Sequence, residues 1–299
     1  VPATGTIIKE GSMNSFTRDQ GMHPLLHLIR PVNCLMASIA VFIGSFIAGG
    51  RAILLHPWLL IPGFIASFTL AGAAMAINDY YDREIDAINR PERPIPSGAI
   101  KPRTALTYAS TLILIGILLS IVTPLSLIVA LTALLIFTVY SAKGKRYGLI
   151  GNLMVSFCVA LTFIYGGAVV NKVPFTLLVF ALLALLANTG REVVKGVIDI
   201  PGDRKWGIQT LAVKHGVNVA VKVASAFYLA AVALTPLPLL LGFANTWYIL
   251  LVIIADIGFL HLVFTLLLNP SPRQAKRAKG YSLVWMLVGL IAFASTQFP

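Results

Sequence analysis

The chain has 299 residues, of which 58% are hydrophobic and only 11% are charged. Because so little polar surface cannot coat a water-soluble globule, the composition excludes a soluble domain and indicates a protein whose solvent is the lipid bilayer. The formal net charge of +12 is typical of nucleic-acid-binding domains, but the positions of the basic residues along the chain exclude that class.

The polar residues 1–12 open the chain, without an apolar core, and end in Gly-Ser before Met13. They are expected to be a remnant added for expression and are left out of the fold prediction. A single membrane-embedded domain is expected over residues 13–299.

Runs without charged residues predict the membrane-spanning helices, each of which needs about 20 apolar residues. These runs cover residues 31–50, 52–78, 104–142, 147–171, 173–190, 223–272 (interrupted only by Asp256) and 280–299. Two of them are long enough for two helices, with breaks expected near Thr123-Pro124 and between Pro236 and Asn245. The sequence therefore predicts an all-α fold, a polytopic membrane protein with a bundle of nine transmembrane helices.

The basic residues divide unequally between the two sides that nine spans create. One side receives the N-terminus and the segments 78–103, 142–148, 195–218 and 269–280. That side, with the adjoining helix ends, holds 21 of the 23 Lys and Arg residues, and the other holds only Arg51 and Lys172. The positive-inside rule then predicts a multi-pass protein of the cell membrane with its N-terminus in the cytoplasm and its C-terminus outside.

The first of two acidic clusters runs from Asn78 to Asp86, at the cytoplasmic end of the second predicted span. Asp79, Asp82 and Asp86 are spaced i, i+3, i+7, so on a helix their carboxylates share one face with the Asn78 amide. Such a face repels itself unless it binds a cation, and Mg²⁺ binds carboxylates together with substrate phosphates. The cluster therefore predicts a site for a metal and a diphosphate. The alternative without a binding function is an acidic patch solvated at the membrane surface.

The second cluster lies at the cytoplasmic end of the sixth predicted span. Arg191, Lys195 and Asp199 are spaced by four residues and share a helix face, while Pro201 ends the helix before Asp203. Ionisable groups in the last turns of a span are costly unless they pair or line a polar cavity, so a functional role is the default interpretation. A purely structural stack of salt bridges is the alternative.

Other polar residues accompany the clusters on the same side. The segment Tyr140 to Tyr147 contains Lys143 and Arg146, which can stabilise charge on a departing diphosphate, although a short basic loop is also the default for any membrane protein. Asn33, after Arg30-Pro31 at the start of the first span, is expected in the same cavity. Asp256 lies deep in the eighth span, so it is protonated, hydrogen-bonded across helices or exposed to a wet cavity.

At these residues the sequence resembles the UbiA superfamily of intramembrane prenyltransferases, from Arg30 to the end of the chain. The first signature of that family is Asn-Asp-x-x-Asp-x-x-x-Asp followed by Arg-Pro…Ser-Gly, here residues 78–86 and 90–98. The second is Asp-x-x-x-Asp, here Asp199 and Asp203. Among members, residues 86–98 look most like the archaeal enzymes that add a second geranylgeranyl chain to a glyceryl phosphate lipid.

The resemblance implies nine membrane helices around a central cavity, with Mg²⁺ as cofactor, a polyprenyl diphosphate as donor and a membrane lipid as acceptor. It does not imply a nucleic-acid partner, and it leaves the oligomeric state open. By the resemblance the metal ligands are Asn78, Asp82, Asp199 and Asp203, supported by Asp79 and Asp86, and the catalytic residues are Asp82, Asp199 and Asp203. The residues expected to bind substrate are Arg83, Lys143 and Arg146 at the diphosphate, Lys195 at the acceptor phosphate, and Arg30, Asn33 and Tyr140 in the cavity.

Two other functions compete with this one. The same chemistry could use an aromatic acceptor, as in quinone or chlorophyll biosynthesis, and residues of the acceptor pocket would decide between the two. A cation transporter would also use intramembrane carboxylates, but its path needs polar groups near the midplane. Here the polar groups crowd one membrane face.

Overall fold

The computed structural model describes residues 22–298, and the expected expression remnant at 1–12 lies outside this range. Within it, nine helices are long and apolar enough to cross a bilayer, as the sequence predicted. They are α1 (Pro31–Gly49), α2 (Pro57–Asn89), α3 (Pro102–Leu119), α4 (Pro124–Ala142), α5 (Leu149–Val169), α6 (Phe175–Ile198), α7 (Val217–Leu234), α8 (Thr246–Leu268) and α9 (Pro272–Ser295). Short helical turns occupy several of the connections, among them Pro24–Ile29, Gly144–Tyr147, Ile200–Lys205 and Leu211–His215.

The two predicted breaks in the long apolar runs are confirmed. Thr123 is extended and its hydroxyl accepts the Ser126 backbone N–H, while Pro124 opens α4 at the first helical position, where its missing N–H is harmless. The second break lies between the end of α7 and the start of α8. There the Asn245 side chain caps α8 by accepting the Tyr248 backbone N–H.

Three helices extend beyond the boundaries that charge-free runs predict. Helix α2 continues to Asn89 and α6 to Ile198, so the first acidic cluster and the start of the second are helical. Helix α9 begins at Pro272 and not at 280, because Ser271 caps it and charged residues are tolerated in its first turns. The expected basic loop at 269–280 is therefore mostly helix.

The helices enclose a central cavity. Helix α1 packs on α2 and α5, α6 packs on α5 and α7, and α9 contacts α1, α6 and α8 to close the bundle. Helix α3 packs mainly on the outer side of α2. Large apolar side chains such as Leu135, Ile257 and Phe264 remain exposed on the outside, as expected of a surface that faces lipid.

Helices α1 and α5 approach closely at two glycines. A Cβ added to Gly166 would lie 2.2 Å from the Val41 carbonyl oxygen, and one added to Gly44 would lie 2.5 Å from the Phe163 carbonyl oxygen. The Ser45 hydroxyl donates to the Gly166 carbonyl at 2.8 Å across the same contact. Small residues let membrane helices pack at this distance, and the contact fixes one wall of the cavity.

We expect Gly166→Ala to lower the stability of the protein by about 1–3 kcal/mol, because the new methyl group forces two backbones apart. Gly280→Ala, in α9 with open space around it, is the matched control and is expected to be neutral or stabilising. Thermal unfolding in detergent measures both, and equal midpoints for the two variants would contradict the close approach.

Candidate active site

The central cavity has a volume of about 550 Å³ and is largely apolar. Eight of the nine membrane helices contribute to its wall, and α3 does not. Its apolar lining includes Met36, Ala133, Val159, Leu183, Phe259 and Phe293. A space of this kind suits a hydrocarbon chain and excludes water.

A second, smaller space of about 80 Å³ lies where α2 and α6 end, and is called the polar chamber here. It brings together residues of both acidic clusters, which are 120 residues apart in the chain. Its polar lining includes Asn78, Asp82, Asp86, Asn89, Arg90, Arg93, Tyr140, Lys145, Asn152, Lys195, Asp199 and Asp203. The chamber and the cavity share Arg30, Asn78, Arg90, Arg93, Tyr140, Glu192 and Lys195 in their walls, so one space leads into the other.

The helical spacing of the first cluster aligns Asn78 with Asp82. The Asn78 amide donates to the Asp82 carboxylate at 2.9 Å, and the Lys145 ammonium forms an ion pair with the same carboxylate. An amide and a carboxylate are thus held together at the chamber wall.

Asp79 and Asp86 are buried and each pairs with arginines. Asp79 accepts from Arg30 and Arg93, and Asp86 accepts from Arg93 and Arg90. Asp86 lines the chamber, whereas Asp79 lines neither space. In the structure Asp79 therefore binds two arginines. Its role as a metal ligand stays a prediction.

The second cluster is fastened to the end of α2 by Asn89. The Asn89 amide donates to the Asp199 carbonyl at 3.1 Å, and its carbonyl oxygen accepts the Gly202 backbone N–H at 2.8 Å. A Cβ at Gly202 would lie 2.5 Å from the Asn89 amide nitrogen. Because a new short helix begins at Ile200 directly after Asp199, with Pro201 in its first turn, Asp199 and Asp203 both line the chamber. Asn89 is not predicted from the sequence, since an Asn at a helix end is usually only a cap.

The carboxyl of Asp203 is buried and forms no ion pair with a cation of the described residues. Burial raises the pKa of this carboxyl to about 7, and the negative charge of Asp199 adds to the shift. Burial likewise lowers the pKa of the Lys145 ammonium to about 8. Two neighbouring buried carboxyls with a single ion pair, from Arg90 to Asp199, form a position that an additional cation would stabilise.

The donor set of the chamber fits Mg²⁺. Carboxylate and amide oxygens are the ligands this ion prefers, and the chamber offers them from Asn78, Asp82, Asp199 and Asp203. No three His, Cys, Asp or Glu side chains within residues 22–298 lie close enough to form a metal site by themselves. Mg²⁺ usually binds one or two carboxylates together with substrate phosphates and water.

The cations around the chamber differ from those expected. Arg83, Lys143 and Arg146 line neither space. Arg83 donates to the Tyr80 carbonyl and to Glu84, while Lys143 and Arg146 are exposed. Their role at the diphosphate stays a prediction that the geometry does not favour. The cations that do line the chamber are Arg30, Arg90, Arg93, Lys145 and Lys195.

The course of the backbone explains why Lys145, and not the predicted Lys143, lines the chamber. Lys143 follows the last residue of α4 as its C-cap, and the chain then makes a tight 3₁₀ turn over Gly144–Tyr147. This turn directs Lys145 towards Asp82, while its neighbours face outwards. Lys143, Lys145 and Arg146 lie within four positions of the sequence. Nothing in the sequence indicates which of the three faces the chamber.

The remaining predicted residues line one or both spaces. Arg30 and Tyr140 line both, and Asn33 lines the cavity. Arg30 has a left-handed backbone (φ 53°) between the turn Pro24–Ile29 and α1, which turns its side chain towards Asp79. Asp256 accepts a hydrogen bond from the Thr235 hydroxyl at 2.7 Å and lines the deep part of the cavity, which confirms a bond across helices.

Comparisons with known proteins show which family and fold the chain resembles. The sequence model of the UbiA prenyltransferase family matches residues 37–291. The digeranylgeranylglyceryl phosphate synthase of Methanopyrus kandleri is 37% identical over 276 residues, which are 92% of this chain and 99% of that protein.

Two solved structures share the fold. One, of digeranylgeranylglyceryl phosphate synthase in membranes, has a TM-score of 0.72 and 33% identity, and the match covers 92% of this chain and 97% of the other. A UbiA homolog from Archaeoglobus fulgidus, bound to DMAPP and Mg²⁺, has a TM-score of 0.67 and covers 90% of this chain and 99% of its own. Its 20% identity limits that likeness to the fold.

Proposed function

This chain belongs to the UbiA prenyltransferase family, and from that premise we propose that it transfers a geranylgeranyl group from geranylgeranyl diphosphate to geranylgeranylglyceryl phosphate. The reaction would form the second ether bond of an archaeal membrane lipid. The names of the relatives that are 37% and 33% identical support this choice of acceptor.

One observation carries the proposal: two carboxylate clusters from distant parts of the chain share a polar chamber that opens into an apolar cavity. A prenyl diphosphate has the same division, with an anionic head and a hydrocarbon tail. The head fits the chamber, where carboxylates can share a metal with it, and the tail fits the cavity.

Asn78, Asp82, Asp199 and Asp203 would hold Mg²⁺ together with the diphosphate. When bound, Mg²⁺ would act as a Lewis acid that neutralises charge on the diphosphate oxygens. Lys145 and Arg90, which line the chamber and pair with Asp82 and Asp199, are placed to donate to the same oxygens when the head group enters. Such preorganised donors stabilise the charge that develops as the leaving group departs.

The apolar cavity governs the fate of the ionised donor. Cleavage of the bond between the donor's first carbon and the diphosphate oxygen leaves an allylic cation, and the acceptor hydroxyl oxygen forms the new bond to that carbon. The hydroxyl proton passes to the departing diphosphate. Since water would capture the cation first if it were present, the apolar wall contributes by excluding it.

A transfer assay with a panel of acceptors tests the proposed function. Purified protein with radiolabelled geranylgeranyl diphosphate and Mg²⁺ is expected to label geranylgeranylglyceryl phosphate and to leave 4-hydroxybenzoate unlabelled. Label on the aromatic acceptor alone would replace the proposal with the aromatic prenyltransferase.

The polar groups of the structure do not favour the other class, a cation transporter. They crowd one end of the bundle, and Asp256, which lies deep, is already bonded to Thr235. A transport path would need ligands near the midplane.

We further propose that the chamber faces the cytoplasm, with the N-terminus on the same side and the C-terminus outside, because the basic residues concentrate there. In a background with Cys34 and Cys158 replaced by alanine, single cysteines at Asp82, Lys143, Asp203 and Arg277 should resist an impermeant thiol reagent applied to intact cells. A cysteine at Lys172, on the opposite side, should react. Labelling from outside at Lys143 or Arg277, both exposed positions, would show that the protein has the opposite orientation.

A further inference from the structure

Three cations close to Glu192 line the central cavity. Arg191 and Lys195 lie in the last turns of α6, and Lys279 lies in the second turn of α9, a helix that packs against α6. All three side chains are in the cavity wall. The packing of α9 on α6 brings the three side chains into one wall, where the charges of Lys195, Arg90, Arg191 and Asp199 act on the Lys279 ammonium.

The positive charge of this cluster is not balanced within the described part of the chain. Glu192 accepts from Lys195 at 2.7 Å and from Arg191 at 3.4 Å. Lys279 has no carboxylate of residues 22–298 within ion-pair distance. The Arg191 Nε is buried and has no hydrogen-bond partner there. One carboxylate therefore faces three cations.

The polar chamber differs in this respect. Its arginines and Lys145 pair with carboxylates at Asp79, Asp82, Asp86 and Asp199. Unbalanced cations within the membrane are costly unless they meet an anion. The surplus at Glu192 thus marks a second anion position, at the junction between the cavity and the chamber in which the donor's diphosphate is placed.

We propose that Arg191, Lys195 and Lys279 bind the phosphate monoester of the lipid acceptor. This assignment rests on the proposed function, in which the acceptor carries such a phosphate. A phosphate monoester has a charge of about −1.5 to −2 at neutral pH, which matches the surplus of two positive charges. Arginine and lysine are the side chains that recognise phosphate oxygens.

The position also suits the reaction. Lys195 and Glu192 lie in the walls of both spaces, so a phosphate held here places the adjacent glycerol at the junction between cavity and chamber. The acceptor hydroxyl then meets the first carbon of the donor, whose diphosphate lies in the chamber. The acceptor's own chain remains in the apolar cavity.

Lys279→Ala is the sharpest test, because Lys279 lines the cavity but not the chamber. Loss of one charged hydrogen-bond donor is expected to raise the KM for geranylgeranylglyceryl phosphate about 10- to 100-fold. The KM for geranylgeranyl diphosphate should stay within about twofold, and Lys279→Arg should restore most of the acceptor affinity. Lys195→Ala should raise the acceptor KM more than the donor KM, although Lys195 touches both spaces.

Lys276→Ala is the matched control, since Lys276 is an exposed lysine of the same helix and should leave both KM values unchanged. An unchanged acceptor KM in Lys279→Ala would overturn the assignment. So would a rise of both KM values together, which would indicate a structural role. If the wild-type enzyme itself ignores geranylgeranylglyceryl phosphate, the proposed function fails instead, and the two failures are distinguishable.

Discussion

Replacing either Asp82 or Asp203 with alanine is expected to lower the rate of prenyl transfer at least 10²-fold, or about 3 kcal/mol of transition-state stabilisation. Both residues line the chamber, one from each acidic cluster. Each would hold the metal that neutralises the departing diphosphate, so the loss should appear in the catalytic step and not only in substrate affinity.

Glu84→Ala provides the control for these variants. Glu84 belongs to the same run of acidic residues on α2, but it is exposed and lines neither space. Its replacement should change the rate less than about twofold. If Asp82→Ala and Glu84→Ala had similar rates, the acidic run would be no more than a solvated patch.

Removal of divalent cations is expected to abolish turnover completely, and added Mg²⁺ should restore it. The reason lies in the chamber, where Asp199 and Asp203 are both buried and only Asp199 has an ion pair within the described residues. An anionic diphosphate would be repelled from them without an intervening cation. Transfer measured with excess chelator, against a control in which the chelator is saturated with Mg²⁺, checks this. Undiminished activity in free chelator would exclude a metal-dependent mechanism.

The membrane helices were predictable because the bilayer imposes a simple rule on the sequence. A span needs about 20 apolar residues, and every backbone polar group within it must be paired, so charge-free runs and prolines give the number and breaks of the helices. Their ends were less predictable. Helix α9 starts at Pro272 because the Ser271 side chain caps it, and its first two turns contain basic residues that no charge-free run could include.

The residues of the chamber were predictable only in part. The spacing of Asn78, Asp82 and Asp86 on a helix is a local signal, and the structure brings them together with Asp199 and Asp203. The pairing of particular cations with these carboxylates depends on tertiary geometry. A tight turn directs Lys145 and not Lys143 into the chamber.

Two further features had no local signal. Asn89 joins the two clusters across 110 residues of sequence separation, and nothing in its immediate neighbours indicates that contact. Lys279 reaches the cavity only because α9 packs against α6. In the sequence it is one of several basic residues in a segment that reads as an ordinary cytoplasmic loop.

Direct contact between the second cluster and the metal can be measured through metal preference. In the background without native cysteines, Asp203→Cys replaces a hard oxygen ligand with a soft thiolate, which favours softer ions over Mg²⁺. The ratio of the transfer rate with Cd²⁺ to the rate with Mg²⁺ is expected to rise at least about tenfold over that of the parent protein. The same ratio in both proteins, with the variant's rate reduced equally for both ions, would show that Asp203 does not touch the metal.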